Sequence, residues 1–96
     1  MTKFRIGQKV KIKCEAHPGP FGDEAVTIDT GMMIVSGFVN KSLVEKRGNK
    51  RFVFGTIVGI KTDAIEVRIP GSFFTTALGI ASLARSWADD NLEARA

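Results

Sequence analysis

The 96-residue chain has no tyrosine, one cysteine, one histidine, one tryptophan and three prolines. A single cysteine, Cys14, excludes an internal disulfide framework. With His17 it makes a Cys-x-x-His spacing, but a zinc site needs three or four ligands and no second Cys or His cluster completes one. A nucleophilic Cys–His pair needs an available thiolate. Cys14 instead stands in the apolar phase of its run, the placement of a core cysteine. Asp23 and Glu24 are adjacent beside Gly22, which reads as turn chemistry rather than a general acid/base pair. Walker, dinucleotide and nucleophile-elbow patterns are all missing. Apolar runs such as Met32-Met33-Ile34-Val35 fall far short of the ~20 residues of a membrane helix. The N-terminal Met1-Thr2-Lys3-Phe4-Arg5-Ile6-Gly7 lacks the apolar core of a secretory signal. These absences argue against an enzyme working from one chain, a metal or other cofactor, and a membrane partner. Cytoplasmic residence is the expectation.

What is present describes an ordinary soluble domain, 44% apolar and 25% charged. One domain over 1–96 is expected, able to bury roughly 60–65% of its unfolded surface. The net charge of +4 is unevenly spread. Lys3, Arg5, Lys9, Lys11 and Lys13 all precede the first acid, Glu15. Lys41, Lys46, Arg47, Lys50 and Arg51 surround only Glu45. The remainder is net negative, with Glu15, Asp23, Glu24 and Asp29 early and Asp89, Asp90 and Glu93 in the tail. Separated charge of this kind steers a polyanion toward one part of a surface.

Five short runs read as strands, at 9–14, 25–30, 32–39, 51–60 and 64–69, with turn residues between them. In the first, Val10, Ile12 and Cys14 alternate with Lys9, Lys11 and Lys13, the period of a half-buried strand. Ile65, Val67 and Ile69 alternate likewise with Glu66 and Arg68, and the tight Thr62-Asp63 connection makes 51–60 and 64–69 an antiparallel hairpin. Both faces of 51–60 are apolar or glycine, the mark of the most central strand. Gly55 and Gly59 within it signal bulges or bends. His17-Pro18-Gly19-Pro20-Phe21-Gly22-Asp23-Glu24 reads as a stiff protruding loop without regular structure. Asp29-Thr30-Gly31 and Arg47-Gly48-Asn49-Lys50 read as turns.

After Pro70-Gly71 the period changes. Ile80, Leu83, Ala84 and Trp87 fall at i, i+3, i+4 and i+7, which predicts an α-helix over about 75–88, capped by Thr75 or Thr76. It should break near Arg85; Ser86-Trp87-Ala88-Asp89 matches a capping box, so a second helical turn restarts there. The tail 89–96 should fray, and Trp87 should be largely buried. The fold class expected is mainly β: a five-stranded antiparallel small barrel or bent sheet over about 8–70, with one C-terminal α-helix.

Two groups of candidate site residues follow. Lys9, Lys11, Lys13, Lys41, Lys46, Arg47, Lys50 and Arg51 are candidates for polyanion binding, with Phe38, Phe52 and Phe54 as stacking partners. Cations beside aromatic strand residues are what single-strand binders use, although edge strands also carry Lys against aberrant pairing. Phe73, Phe74, Leu78 and Gly79 are candidates for an oligomer interface. Two adjacent phenylalanines cannot both point inward from an extended segment, and an uncharged helix over 77–84 exceeds what one small barrel covers. A homodimer is the commonest way to bury such a patch.

Gly37-Phe38-Val39, a basic loop and the hairpin over 52–69 resemble the second half of an OB-fold RNA-binding barrel. The first strand with its long loop equally resembles an SH3-like barrel. The OB resemblance implies a nucleic-acid face on the strands containing Ile34, Phe38, Phe52 and Phe54. Glu15-Ala16-His17-Pro18-Gly19 also resembles a stretch of plasmid-borne trimethoprim-resistant dihydrofolate reductases, tiny SH3-like barrels with a pore site. That family's Val-Gln-Ile-Tyr motif is missing here, so no residue role carries over. In size and character the chain is similar to orphan proteins of integron gene cassettes, a likeness that implies no activity.

Three functions remain open on the sequence. The first is a non-catalytic module binding single-stranded nucleic acid or another polyanion. The second is a protein-interaction or self-assembling module. The third is a small-molecule binder or oligomeric enzyme with a site shared between subunits. Whether the two basic clusters share a face separates the first from the others.

Overall fold

The structure, a computed structural model, describes residues 4–73 and 79–95, with the side chains of Ser72 and Phe73 left aside. Its strands are β1 (Lys9–Pro18), β2 (Asp23–Asp29), β3 (Ile34–Asn40), β4 (Val44–Arg47), β5 (Lys50–Ile60), β6 (Ala64–Arg68), β7 (Ser72–Phe73), β8 (Ile80–Ala84) and β9 (Leu92–Ala94). One helix, α1 (Arg85–Asn91), joins β8 to β9, and a 3-10 turn (Lys41–Leu43) precedes β4. The order β7-β3-β2-β1-β5-β6-β8, with β4 added to β5 and β9 to β1, makes a nearly closed antiparallel barrel. Ala84 N donates to Thr30 O at 3.1 Å, tying the end of β8 to the end of β2 across the remaining opening. The expected class therefore holds, with more strands than the five anticipated.

β1 organises the barrel by changing partners. Lys9 to Cys14 pair with β5 on one edge, and Val10 to Ile12 with β9 on the other. Beyond them Glu15 to Pro18 pair with β2. The alternation in β1 sends Val10 and Ile12 fully into the core, against Val53, Ile57, Val67, Leu83 and Leu92, and leaves the lysines outside. β5 is central as expected, pairing with β1, β4 and β6. Its register against β6 shifts between Ile57 and Gly59, a bulge that turns Val58 outward. At Gly55 an added Cβ would lie 2.7 Å from Val67 Cγ1 and 3.0 Å from Arg68 O, so glycine there lets two strands approach.

Three sequence expectations are corrected. Ile80 to Ala84, expected inside the helix over about 75–88, form β8 and pair with β6 at every position from Arg68↔Ile80 to Ala64↔Ala84. Ala81 and Leu83 point into the core with no exposure, so the supposed helical stripe is split. A short apolar run satisfies either period, and an unpaired β6 edge supplies hydrogen bonds that a helix would not. The helix lies instead at Arg85–Asn91, where only a restarted turn was foreseen. The tail does not fray: Leu92 is buried and Arg95 N donates to Lys9 O at 2.9 Å.

The third correction is the stiff loop, which is a tight hairpin. β1 runs through Pro18 and β2 starts at Asp23, closed by Gly19 N donating to Asp23 O at 2.8 Å. That bond makes Pro18↔Glu24 a non-hydrogen-bonded pair, so the missing proline N–H leaves no gap in the ladder. The Asp29-Thr30-Gly31 turn forms as expected. Thr30 Oγ accepts from the amides of Met32 and Met33, and Asp29 Oδ1 from that of Gly31.

Candidate functional site

The β1–β5 register decides which cations meet. Lys13 stands opposite Phe52, Lys11 opposite Phe54 and Lys9 opposite Thr56, all facing out. Side chains alternate across a strand, so Lys50 shares the face of Phe52 and Phe54. Glu45 is opposite Phe52 on β4, which brings Arg47 to the same side. On β9, Glu93 stands opposite Lys11, and Arg95 follows on the same face. Lys9, Lys11, Lys13, Arg47, Lys50 and Arg95 thus surround two phenylalanines, with Glu45 and Glu93 among them.

The acids hold part of this charge in place. Lys11 Nζ donates to Glu45 Oε1 at 3.0 Å. Arg47 donates to Glu45 Oε2 at 2.7 Å and to both oxygens of Glu93, at 3.0 and 3.2 Å. Hydrogen bonds from Lys11 and Arg47 pull the Glu45 pKa below the ordinary carboxylate value, and the bond from Arg47 does the same for Glu93. The bonds to Glu93 and Glu45 raise that of Arg47. Lys9, Lys13 and Lys50 are exposed and make no ion pair among the described residues.

Not every basic candidate joins this face. Lys46 and Arg51 have the opposite register parity. Lys46 Nζ lies 3.9 Å from Oε1 of the buried Glu24, and Arg51 donates to the carbonyls of Gly48 and Lys50. Lys41 sits in the 3-10 turn, outside the ladder. Arg95 was not a candidate from sequence, because its segment read as frayed tail. Its signal is alternation: Leu92 and Ala94 take one side, Glu93 and Arg95 the other.

The aromatic candidates are placed differently from one another. Phe52 is only 3% exposed and lies beneath Arg47, whose guanidinium carbon is 4.6 Å from the ring centroid. Phe54 is half-buried, with the Arg95 guanidinium 4.0 Å from its centroid. The cations therefore cover the rings. Phe38 is on β3, separated from β5 by β2 and β1 in the strand order. Among the interface candidates, Phe74 and Leu78 lie outside the described residues, as do the two cap candidates, Thr75 and Thr76. Phe73 belongs to β7 opposite Gly37, and Gly79 is buried with φ 67°, its carbonyl accepting from Ile69 N.

A second feature is a cleft of about 500 Å³ between β1, β2 and α1. Lys13 and Glu15 border it from β1, Thr27 and Asp29 from β2, and Trp87 and Asn91 from α1. Trp87, expected to be largely buried, is half-buried and packs one side on the core. Cys14 reaches the cleft from within the wall; burial pushes its thiol up to about 12, against the opposing pull of Arg51. His17 is exposed on the hairpin and has no part in the cleft. No group of three or more His, Cys, Asp and Glu among the described residues is placed to hold a metal ion. No described helix is long and apolar enough to cross a membrane. Comparison with known proteins finds no match: no family model, no curated protein and no solved structure.

Proposed function

We propose that the chain is a non-catalytic binding module for single-stranded nucleic acid, or a polyanion of similar charge spacing, acting through the outer face of β9, β1, β5 and β4. The observation that carries this reading is the register that gathers Lys9, Lys13, Lys50 and Arg95 around Phe52 and Phe54. Strand residues four apart stand ~13 Å apart, so Lys9 and Lys13 present two cations along one line. Lys11 and Arg47 are occupied by Glu45 and Glu93 and stiffen the platform. A base then stacks on the guanidinium plane of Arg95, itself backed by Phe54, rather than on a bare ring.

The test is fluorescence anisotropy of a labelled single-stranded oligonucleotide over a salt series. Each phosphate contact to a single strand contributes about −0.7 to the slope of log K against log salt, so four cations give about −3. No binding at low salt, or binding indifferent to salt, removes the reading.

The second reading is a homo-oligomer, most simply a homodimer. It keeps from the sequence only the argument that adjacent Phe73 and Phe74 cannot both point inward from an extended segment, with Leu78 beside them, since Ile80 to Ala84 form a strand and Gly79 is buried. It is favoured by the position of β7 at an end of the strand order, where no further strand among the described residues pairs with it. A monomeric mass by light scattering at micromolar concentration defeats it.

A further inference from the structure

We infer that the cleft between β1, β2 and α1 is a binding site for a small organic cation with an aromatic or apolar body. The cleft exists because β1 changes partners. Its last pair with β9 is Ile12↔Leu92 and its first with β2 is Glu15↔Thr27, leaving Lys13 and Cys14 at a gap in the barrel wall. α1 borders that gap. Its volume of about 500 Å³ lies within the ~300–1,000 Å³ of small-molecule sites.

The lining selects the charge. Glu15 and Asp29 are exposed at the cleft and have no cationic partner among the described residues. Asp29 Oδ1 accepts from Gly31 N, which fixes the carboxylate at the turn. Among the described residues Lys13 is the single lining cation, so their lining carries an excess of one negative charge. Trp87 and Ile34 supply the apolar contact, and tryptophan is the aromatic side chain that attracts cations best. Asn91 Nδ2 donates to Trp87 O at 2.8 Å, leaving its Oδ1 as an acceptor. An anionic ligand meets two like charges here. A neutral hydrocarbon covers two carboxylates without replacing their water. An ammonium group on an apolar body satisfies both parts. The site shares only Lys13 with the proposed polyanion face, so either stands without the other.

Trp87 is the only tryptophan in the chain and reports directly on the cleft. Three probes of similar size are titrated into the intact protein: 2-phenylethylammonium, 2-phenylethanol and 3-phenylpropionate. The expected result is a saturable fluorescence change with the ammonium probe alone, with half-saturation at roughly millimolar concentration or below. Glu15→Gln, a position in no hydrogen bond that shapes the turn, should weaken it several-fold, and Glu15→Gln with Asp29→Asn roughly tenfold or more. Circular dichroism of both variants should match the parent; if the double variant does not, Glu15→Gln decides. Equal response to all three probes, preference for the anion, no saturation, or unchanged affinity in Glu15→Gln overturns the proposal.

Discussion

Arg47 forks onto both carboxylate oxygens of Glu93, joining β4 to β9 over the two strands between them. The pair spans 46 residues of sequence and fastens the C-terminal strand over the outer face. It has a pH consequence. The carboxyls of Glu45 and Glu93 titrate lower in the folded protein than in the unfolded chain, where glutamate has a pKa of about 4.3. Their stabilisation is therefore complete above the unfolded value and is lost as pH falls through the lower folded value. Thermal melts should show Tm falling below about pH 4, and less steeply in Glu93→Gln and Glu45→Gln. Parallel pH profiles for variant and parent would show that the network contributes nothing.

Polyanion binding should depend on position rather than on total charge. Lys9→Glu with Lys13→Glu should weaken oligonucleotide binding at least tenfold at low salt and flatten its salt slope by about 1–2. Lys61→Glu, which changes charge beside Glu66 instead, should have a much smaller effect. Equal losses from both would mean that the field of the whole molecule acts, not this face.

Gly55→Ala should destabilise the protein by about 1–3 kcal/mol through overpacking, because the new methyl meets Val67 and the Arg68 carbonyl. Urea unfolding measures it. A neutral result would mean that β5 and β6 separate more easily than their packing suggests.

Leu83→Ala should cost about 2–5 kcal/mol, since Leu83 is fully buried on β8. The sharper check on this segment is carbon chemical shifts over Ile80 to Ala84, which should be those of a strand. Helical shifts there would contradict the pairing with β6.

Cys14 should resist thiol reagents. With its pKa near 12, its thiolate fraction at pH 8 is far below that of an unfolded cysteine, so labelling of the native protein should be roughly a hundredfold or more slower. Native and urea-unfolded rates, measured with the same disulfide reagent, decide it.

The sequence by itself determined the class of fold. Alternation in Lys9 to Cys14 and Ile65 to Ile69 is local and admits one face inward, and the turns at Thr30-Gly31 and Gly48-Asn49 follow from residue chemistry. It also determined that lysines would share a face, because a period of two leaves no other arrangement. The tertiary structure decided what depends on long-range partners. Ile80 to Ala84 fit a helical stripe as well as a strand, and the open edge of β6 chose between them. Leu92 to Arg95 alternate over too few residues to outweigh a frayed tail, and Leu92 to Ala94 became β9 because β1 offered an edge beside its junction with β2. That same junction opened the cleft beside Trp87 and carried Glu93 and Arg95 to the basic face. Hydrogen bonds between strands are paid for in loop closure across the chain, so register against a distant edge is a property of the assembled barrel.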